Sequence, residues 1–234
     1  MKAIPDFSKI EQLLLITYIL CELVFLILIQ TSFILVPMSE YRSRIMYAPI
    51  CLNTLVTLYY YLRYERKQKR RSNRFLAFGL FITCLADYFL TLHNEILSGY
   101  LLFCLVELIY AVFLGLNLRN VYIRLTVYLL SLAFAHGAGL LNLPHALGLL
   151  NLSLLSVNVI CAWINYSKQK ELNRLLTGLA FSLFAGCDYS ILIMNLTQGK
   201  VMAAAVFMIW IFYIPSQVLL VTVFVLASMN HKPQ

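Results

Sequence analysis

Apolar runs of about 20 residues follow one another along almost the whole chain, and only short polar segments separate them. Hydrophobic residues make up 62% of the 234 residues, whereas charged residues make up 12%. Soluble domains carry about 25% charged residues, so a water-soluble fold of this length could not bury so much apolar surface. We therefore expect an all-α, polytopic membrane protein with a single transmembrane domain over residues 1–234.

The positions of the runs predict eight transmembrane helices joined by short connections. A helix needs about 20 apolar residues to cross the hydrocarbon core, and most of the runs reach that length. The predicted helices cover residues 10–36, 45–62, 75–92, 96–116, 121–135, 146–165, 172–194 and 201–228. Polar residues at positions 39–42 are expected to form the connection between the first two helices.

The basic residues are distributed unequally between the two sides that eight helices create. With both termini on one side, 15 of the 18 lysines and arginines belong to that side, Arg119 and Arg124 among them. Only Arg42, Arg44 and Lys200 belong to the other side. Because basic loops stay in the cytoplasm, both termini are predicted to be cytoplasmic. The net charge of +8 thus reflects topology and contact with membrane lipids, and it does not indicate a nucleic-acid partner.

The two halves of the chain share one local pattern. In each half a Lys-Gln-Lys tripeptide precedes an Asn-Arg pair and an apolar run, and a single Asp-Tyr pair interrupts that run, at Asp87 and at Asp188. Four helices restore the direction of the chain, so residues 10–117 and 121–228 are predicted to form a parallel repeat. Both aspartates then lie at one depth, roughly 20 Å along their helices.

A carboxylate inside a hydrophobic span costs several kcal/mol unless it is paired or faces a polar cavity, so the two aspartates need an explanation. Glu107 lies near the middle of the fourth predicted helix, and Tyr110 follows it one turn later. In the eighth helix, Tyr213 and Gln217 share one face around the proline at position 215. We expect a polar pocket lined by Asp87, Glu107, Tyr110, Asp188, Tyr213 and Gln217.

The sequence contains no pattern typical of metal or nucleophilic catalysis. It has no HExxH motif, no serine in a nucleophile elbow and no glycine-rich phosphate loop. All six cysteines fall inside apolar runs without a CxxC pair, so they are interpreted as packing residues. We expect neither a metal site nor a cofactor.

At its aspartates the sequence resembles the lysoplasmalogenase family, also called YhhN, whose members have eight membrane helices. The family carries one aspartate on one helix and another four helices later, which correspond here to Ala86-Asp87 and Cys187-Asp188. A motif between them resembles residues 98–110, and a motif of the last helix resembles residues 213–217. The resemblance extends over about residues 45–225.

Two positions depart from the family pattern. Glu107 occupies the place of a histidine, and Ala48 occupies the place of a lysine that often precedes the proline of the second helix. These departures are consistent with the fold of the family, and they allow either an altered substrate or a relative without catalytic activity.

The resemblance implies an ether hydrolase that cleaves the vinyl ether bond of a lysoplasmalogen into a fatty aldehyde and a glycerophospho-ethanolamine or -choline. It implies Asp87 and Asp188 as the catalytic pair. One carboxylic acid would protonate the vinyl ether, and the other carboxylate would stabilise the oxocarbenium ion and activate water, as in glycosidases. The remaining four pocket residues would bind substrate: Glu107, Tyr110, Tyr213 and Gln217. The substrate would be a lysophospholipid that enters sideways from the bilayer.

Other interpretations of the same residues stay open at this stage. One carboxylate in each half also fits a proton-coupled transporter of small molecules or lipids, and a non-catalytic relative would bind a lysolipid without turnover. Either aspartate could instead be a hydrogen-bonding centre that holds helices together, and Glu107 could be a protonated structural acid. In each case we expect a multi-pass protein of a bacterial plasma membrane or of the endoplasmic reticulum.

Overall fold

A computed structural model describes residues 9–35, 40–65, 71–139 and 142–229, and within these residues all regular structure is helical. Eight α-helices follow in chain order, and the second and third each continue into a π-helical segment. The helices are α1 Lys9–Leu35, α2 Glu40–Tyr60 with the π segment Tyr61–Glu65, α3 Arg71–Asp87 with the π segment Tyr88–His93, α4 Ile96–Phe113, α5 Leu118–Gly137, α6 Leu143–Lys168, α7 Leu172–Leu196 and α8 Gly199–Met229. The all-α class and the eight helices are therefore confirmed.

The helix boundaries lie close to the predicted ones, with one exception at the start of α2. This helix begins at Glu40, five residues before the predicted position, so the prediction of a polar connection is wrong for residues 40–42. The reason is Arg42, which is buried, donates a hydrogen bond to the carbonyl of Ser32 at 3.1 Å and lies 4.9 Å from the ring centre of Phe33. Arg42, which was predicted to lie in a polar connection, thus joins the start of α2 to the end of α1.

Seven helices in the described residues are long and apolar enough to cross a membrane, and the protein is an integral, multi-pass membrane protein. The outward faces of the helices carry large exposed apolar side chains, such as Leu20, Leu101 and Leu129, which a lipid environment accommodates. Of the eight helices, only α5 falls short of this standard of length and composition. The two π segments belong to spans, since the second and third candidate spans extend to Tyr64 and His93.

The packing of its neighbours shows that α5 nevertheless returns the chain across the bundle. Helices α4 and α6 run in the same direction, because Glu107 contacts Asn158 and, further along both helices, Leu114 contacts Asn165. The chain must therefore travel back between the end of α4 and the start of α6. Helix α5 does this, since its 20 residues extend about 30 Å at the usual helical rise.

Helix α5 lies antiparallel to α6 and, in the described part of the chain, packs against α6 alone. Two polar contacts join the pair: Arg124 donates to Oδ1 of Asn158, and the hydroxyls of Ser131 and Ser153 lie 3.5 Å apart. Arg124 is buried at 4% exposure. It was counted among the charges of the cytoplasmic side, and its hydrogen bond to Asn158 adds a role in packing α5 against α6.

The last helix occupies the centre of the bundle. Helix α8 packs against α1, α2, α3 and α7, and its second half contains fully buried residues such as Leu220, Val221 and Phe224. Because α8 contacts both Asp-bearing helices, α3 and α7, it brings the two halves of the chain together at the aspartates. The parallel repeat of residues 10–117 and 121–228 stays a prediction.

Candidate functional site

Asp87 is the last α-helical residue of α3 and lies directly before the π segment Tyr88–His93. Such π segments widen the helical turn and are frequent at functional sites. The hydroxyl of Thr91 donates to the backbone carbonyl of Asp87 at 2.5 Å, and Asn94 closes the segment in the left-handed region at φ 55°. The side chain of Asp87 is buried at 7% exposure.

Tyr213 of α8 holds the Asp87 carboxylate. Its hydroxyl donates a hydrogen bond to Oδ2 of Asp87, and its ring is fixed between two other aromatic rings. The centre of the Tyr213 ring lies 5.8 Å from that of Phe184 on α7 and 5.8 Å from that of Trp210 one turn earlier on α8. Both distances lie in the range of favourable aromatic pairs, so the phenol has a defined position in front of the carboxylate.

Asp188 lies on α7 and is only partly buried. Its Oδ2 accepts a hydrogen bond from Nδ2 of Asn151 on α6 at 2.6 Å. The carboxylates of Asp188 and Asp87 interact electrostatically. Each aspartate thus has a neutral hydrogen-bond donor and a second carboxyl group nearby, an arrangement that permits acid–base chemistry.

Glu107 belongs to a buried network that joins α4, α5 and α6. The amide nitrogen of Asn158 donates to Oε2 of Glu107 at 2.6 Å and to its backbone carbonyl at 2.9 Å, and the amide oxygen of Asn158 accepts from Arg124. Glu107 is fully buried, and it also interacts electrostatically with Asp188. In the described residues its Oε1 has no hydrogen-bond partner.

Tyr110 of α4 packs against the part of α3 that precedes Asp87. Its hydroxyl lies 3.5 Å from that of Thr83, one turn before Asp87 on α3. A methyl group added at Gly79 would lie 2.2 Å from the Tyr110 ring, so only glycine leaves room for this side chain. Tyr110 also meets Phe181 of α7 edge to face at 5.3 Å between ring centres.

Gln217, one turn after Tyr213 on α8, is buried at 2% exposure. Within the described residues its Nε2 has no hydrogen-bond partner. Two grooves on the outside of the bundle lie elsewhere. One, of about 470 Å³, is lined by Tyr122, Ile123, Thr126 and Val127, and the other, of about 440 Å³, is lined by Leu14, Leu55, Val56, Tyr59 and Tyr60. Neither groove contains a residue predicted for the site.

The six predicted site residues fall into two adjoining groups. Asp87 and Tyr213 form a direct pair between α3 and α8; Tyr110 of α4 contacts α3 one turn before Asp87, and Gln217 follows Tyr213 on α8. Asp188 and Glu107 each contact an asparagine of α6 instead. Electrostatic interactions of Asp188 with Asp87 and with Glu107 connect the two groups.

Three polar partners were missed from the sequence: Asn151, Asn158 and Arg124. The asparagines are seven residues apart, so they lie two turns apart on one face of α6, and that spacing in an apolar helix was the available signal. Arg124 was counted only as a charge near a helix end. Across the described residues, no group of three or more His, Cys, Asp or Glu side chains could hold a metal ion.

A model of the YhhN family matches residues 43–224, more than half of the chain. The match begins within α2 and includes every residue of the site described above. Comparisons with curated proteins and with solved structures found no match. The extent of the family match, together with the aspartates on α3 and α7, shows that the chain belongs to the YhhN family.

Proposed function

We propose that this protein is a lysoplasmalogenase-type hydrolase, which cleaves the vinyl ether bond of a lysoplasmalogen to a fatty aldehyde and a glycerophospho-ethanolamine or -choline. Membership of the YhhN family supports this class of reaction. The observation that carries the proposal is the interacting pair of membrane carboxylates, Asp87 and Asp188, each held by a neutral donor. The pair offers one group to give a proton and one to remain charged.

The proposed reaction needs only these two carboxyl groups and water. The carboxylic acid of one aspartate gives its proton to the β-carbon of the vinyl ether, whose double-bond electrons form the new C–H bond. The resulting oxocarbenium ion lies beside the other carboxylate, which takes a proton from the attacking water. The hemiacetal then collapses: its hydroxyl proton passes to the first aspartate as the C=O bond forms, the C–O bond to glycerol breaks, and the glycerol oxygen takes the proton held by the second, so that an aldehyde and an alcohol leave. One water is consumed and no oxidant is required.

The depth of the pair suits a lipid substrate. Asp87 lies six residues before the end of its π segment at His93, and Asp188 lies eight residues before the end of α7 at Leu196. Both are therefore roughly 10 Å below the same end of the bundle. A lysolipid with its headgroup in the interface would place its ether bond just inside the hydrocarbon, near this depth.

The partial exposure of Asp188 indicates the side from which the substrate arrives. Asp87 is buried and accepts from Tyr213 of α8, whereas Asp188 is only partly buried and lies eight residues before the end of α7. At this end Tyr100 hydrogen-bonds with the exposed Asn195 and interacts electrostatically with Asp188. We assign Asp87 and Asp188 to the reaction, and Tyr213, Tyr110, Gln217 and Glu107 to the surroundings of the substrate.

Aldehyde release tests the proposal directly. The purified protein in detergent should release a fatty aldehyde from lysoplasmalogen, as measured by mass spectrometry, and the Asp87→Asn variant should release none. A transporter cannot register in this assay, because detergent micelles provide no second compartment. Well-folded protein that releases no aldehyde would contradict the hydrolase and favour a transporter or a lysolipid-binding protein.

A further inference from the structure

Asn151 uses only one end of its side-chain amide. Its Nδ2 donates to Asp188 at 2.6 Å, whereas its Oδ1 is buried and has no hydrogen-bond partner among the described residues. The side chain as a whole is 5% exposed. A buried acceptor that has lost water without gaining a donor is costly, so such atoms are normally paired. The amide of Asn151 therefore presents an acceptor, next to a proposed catalytic carboxylate, that a ligand can satisfy.

The neighbours of Asn151 on its face of α6 are a glycine and the ring of Tyr100. Gly148 lies three residues earlier on the same face of α6, and it adds no side chain to this part of the helix. A methyl group at Gly148 would have the ring of Tyr100 as its nearest neighbour, at 3.7 Å, which is ordinary contact distance. Asn151 lies eight residues after the start of α6 at Leu143, so the acceptor is roughly 12 Å from the end of the bundle at which α6 begins.

We propose that Oδ1 of Asn151 accepts a hydrogen bond from the free hydroxyl group of the substrate, on the glycerol carbon next to the one that carries the vinyl ether. The proposal rests on the function proposed above and adds a residue that selects the substrate. The side-chain amide of Asn151 then contacts both the aspartate and the substrate. Its nitrogen positions Asp188, and its oxygen binds the lipid. An acyl group on that hydroxyl removes the donor, so an intact plasmalogen, which is acylated at this position, leaves Oδ1 unpaired.

Glu107 and Gln217 also have unpaired atoms near the site, but neither fits this role as well. Oε1 of Glu107 belongs to a fully buried residue that Asn158 holds through Oε2 and the backbone carbonyl. Nε2 of Gln217 is a donor and cannot accept from a hydroxyl. Asn151 alone of the three has a direct hydrogen bond to one of the two aspartates.

The test compares two vinyl ether lipids, a lysoplasmalogen and its 2-deoxy analogue, which differ only in this hydroxyl. The wild-type protein should show a kcat/KM about 10–100-fold higher for the hydroxyl-bearing lipid, the range expected when a buried acceptor loses its donor. In Asn151→Ala this ratio should fall to about 1, while both rates decrease because Asp188 loses its positioning partner. Asn165→Ala is the matched control, since Asn165 lies on the same helix and donates to the carbonyl of Leu114. It should keep the wild-type ratio.

A binding measurement separates this inference from the function. Saturated 1-alkyl lysolipids, with and without the 2-hydroxyl, cannot be cleaved by this reaction, and their dissociation constants can be measured by calorimetry in detergent. We expect wild-type protein to bind the hydroxyl form at least 10-fold more tightly and Asn151→Ala to bind both forms equally. Equal binding by wild-type protein, or discrimination that persists in Asn151→Ala, would overturn the role of Asn151. Absence of turnover with intact binding discrimination would overturn only the hydrolase.

Discussion

The hydroxyl of Tyr213 donates a hydrogen bond to Oδ2 of Asp87, although 126 residues separate the two in the sequence. Tyr213→Phe removes this donor and leaves the ring in place. We expect kcat/KM for lysoplasmalogen to fall about 10–100-fold and the free energy of unfolding to decrease by about 1–3 kcal/mol, because the Asp87 carboxyl loses a buried partner. Aldehyde release and thermal unfolding in detergent measure the two effects.

Tyr189→Phe is the control for Tyr213→Phe. Tyr189 directly follows Asp188 but is exposed, and its hydroxyl lies 3.4 Å from that of Ser156. Its activity should stay within about twofold of wild type, since an exposed hydroxyl keeps its water after folding. Equal activity of both variants would show that Asp87 does not need the phenol.

The two aspartates should behave as one functional unit. Asp87→Asn and Asp188→Asn each remove one of the two carboxyl groups, so each should abolish hydrolysis while the protein still extracts and folds normally. The double variant should be no less active than either single variant, because residues that act together are not additive. Full activity of either single variant would exclude the acid–base pair, whatever the other one shows.

Glu107→Gln should reduce turnover less than Asp87→Asn does. The change keeps the shape and the acceptor oxygen that Asn158 engages, and Glu107 has no direct hydrogen bond to either aspartate in the described residues. Asn158→Ala should be more disruptive, since it removes the hydrogen bonds to Glu107 and Arg124 together. Single-turnover aldehyde release distinguishes these effects on chemistry from effects on folding. If Glu107→Gln is as inactive as Asp87→Asn, Glu107 belongs to the reacting groups.

Arg124→Leu should destabilise the protein without changing its orientation in the membrane. The change leaves the amide oxygen of Asn158 without a donor, for an expected loss of about 1–3 kcal/mol in the free energy of unfolding. Lys170→Leu, at an exposed position, is the control and should change stability by no more than about 0.5 kcal/mol. If Arg124→Leu leaves the free energy of unfolding unchanged, Arg124 serves only to orient the chain in the membrane.

The excess of basic residues on one side predicts that the connection between α7 and α8 lies outside the cell or in the lumen. A cysteine at Gln198, in a background without the six native cysteines, should react with a membrane-impermeant maleimide in intact cells. Gln198 is exposed and preferable to Gly199, whose φ of +64° would strain any other residue. A cysteine at Lys170 should react only after permeabilisation. The reverse pattern of labelling would invert the predicted topology.

The length of the apolar runs was enough to predict the helices, because a transmembrane span is recognised from its apolar composition alone. It also singled out Asp87 and Asp188, since a lone carboxylate in such a run is costly. Asn151 and Asn158 gave a weaker signal, because a neutral amide in a membrane helix is cheaper than a charge and has no fixed pattern. Their roles follow from the packing of α6 against α4, α5 and α7, which is a property of the tertiary structure.

Counting charges was least informative for Arg124 and Arg42. The orientation rule treats a basic residue near a helix end as part of a loop, whereas both arginines are buried and donate to partners inside the bundle. The prediction of cytoplasmic termini does not depend on them. Without Arg124 on one side and Arg42 on the other, the asymmetry of the remaining basic residues is even larger.

The contact of α5 with α6 alone has a consequence for biogenesis. Helix α5 carries Arg124 at the seventh of its 20 residues, and a charged residue inside a span opposes partition into lipid, by up to about 2.5–3.5 kcal/mol at the centre. The partner that accepts from this arginine, Asn158, lies 34 residues later in the chain and therefore leaves the ribosome after α5. We expect α5 to remain at the translocon until α6 emerges and the two to enter the bilayer as a hairpin. A ribosome-bound chain truncated before α6 should then leave α5 accessible to water.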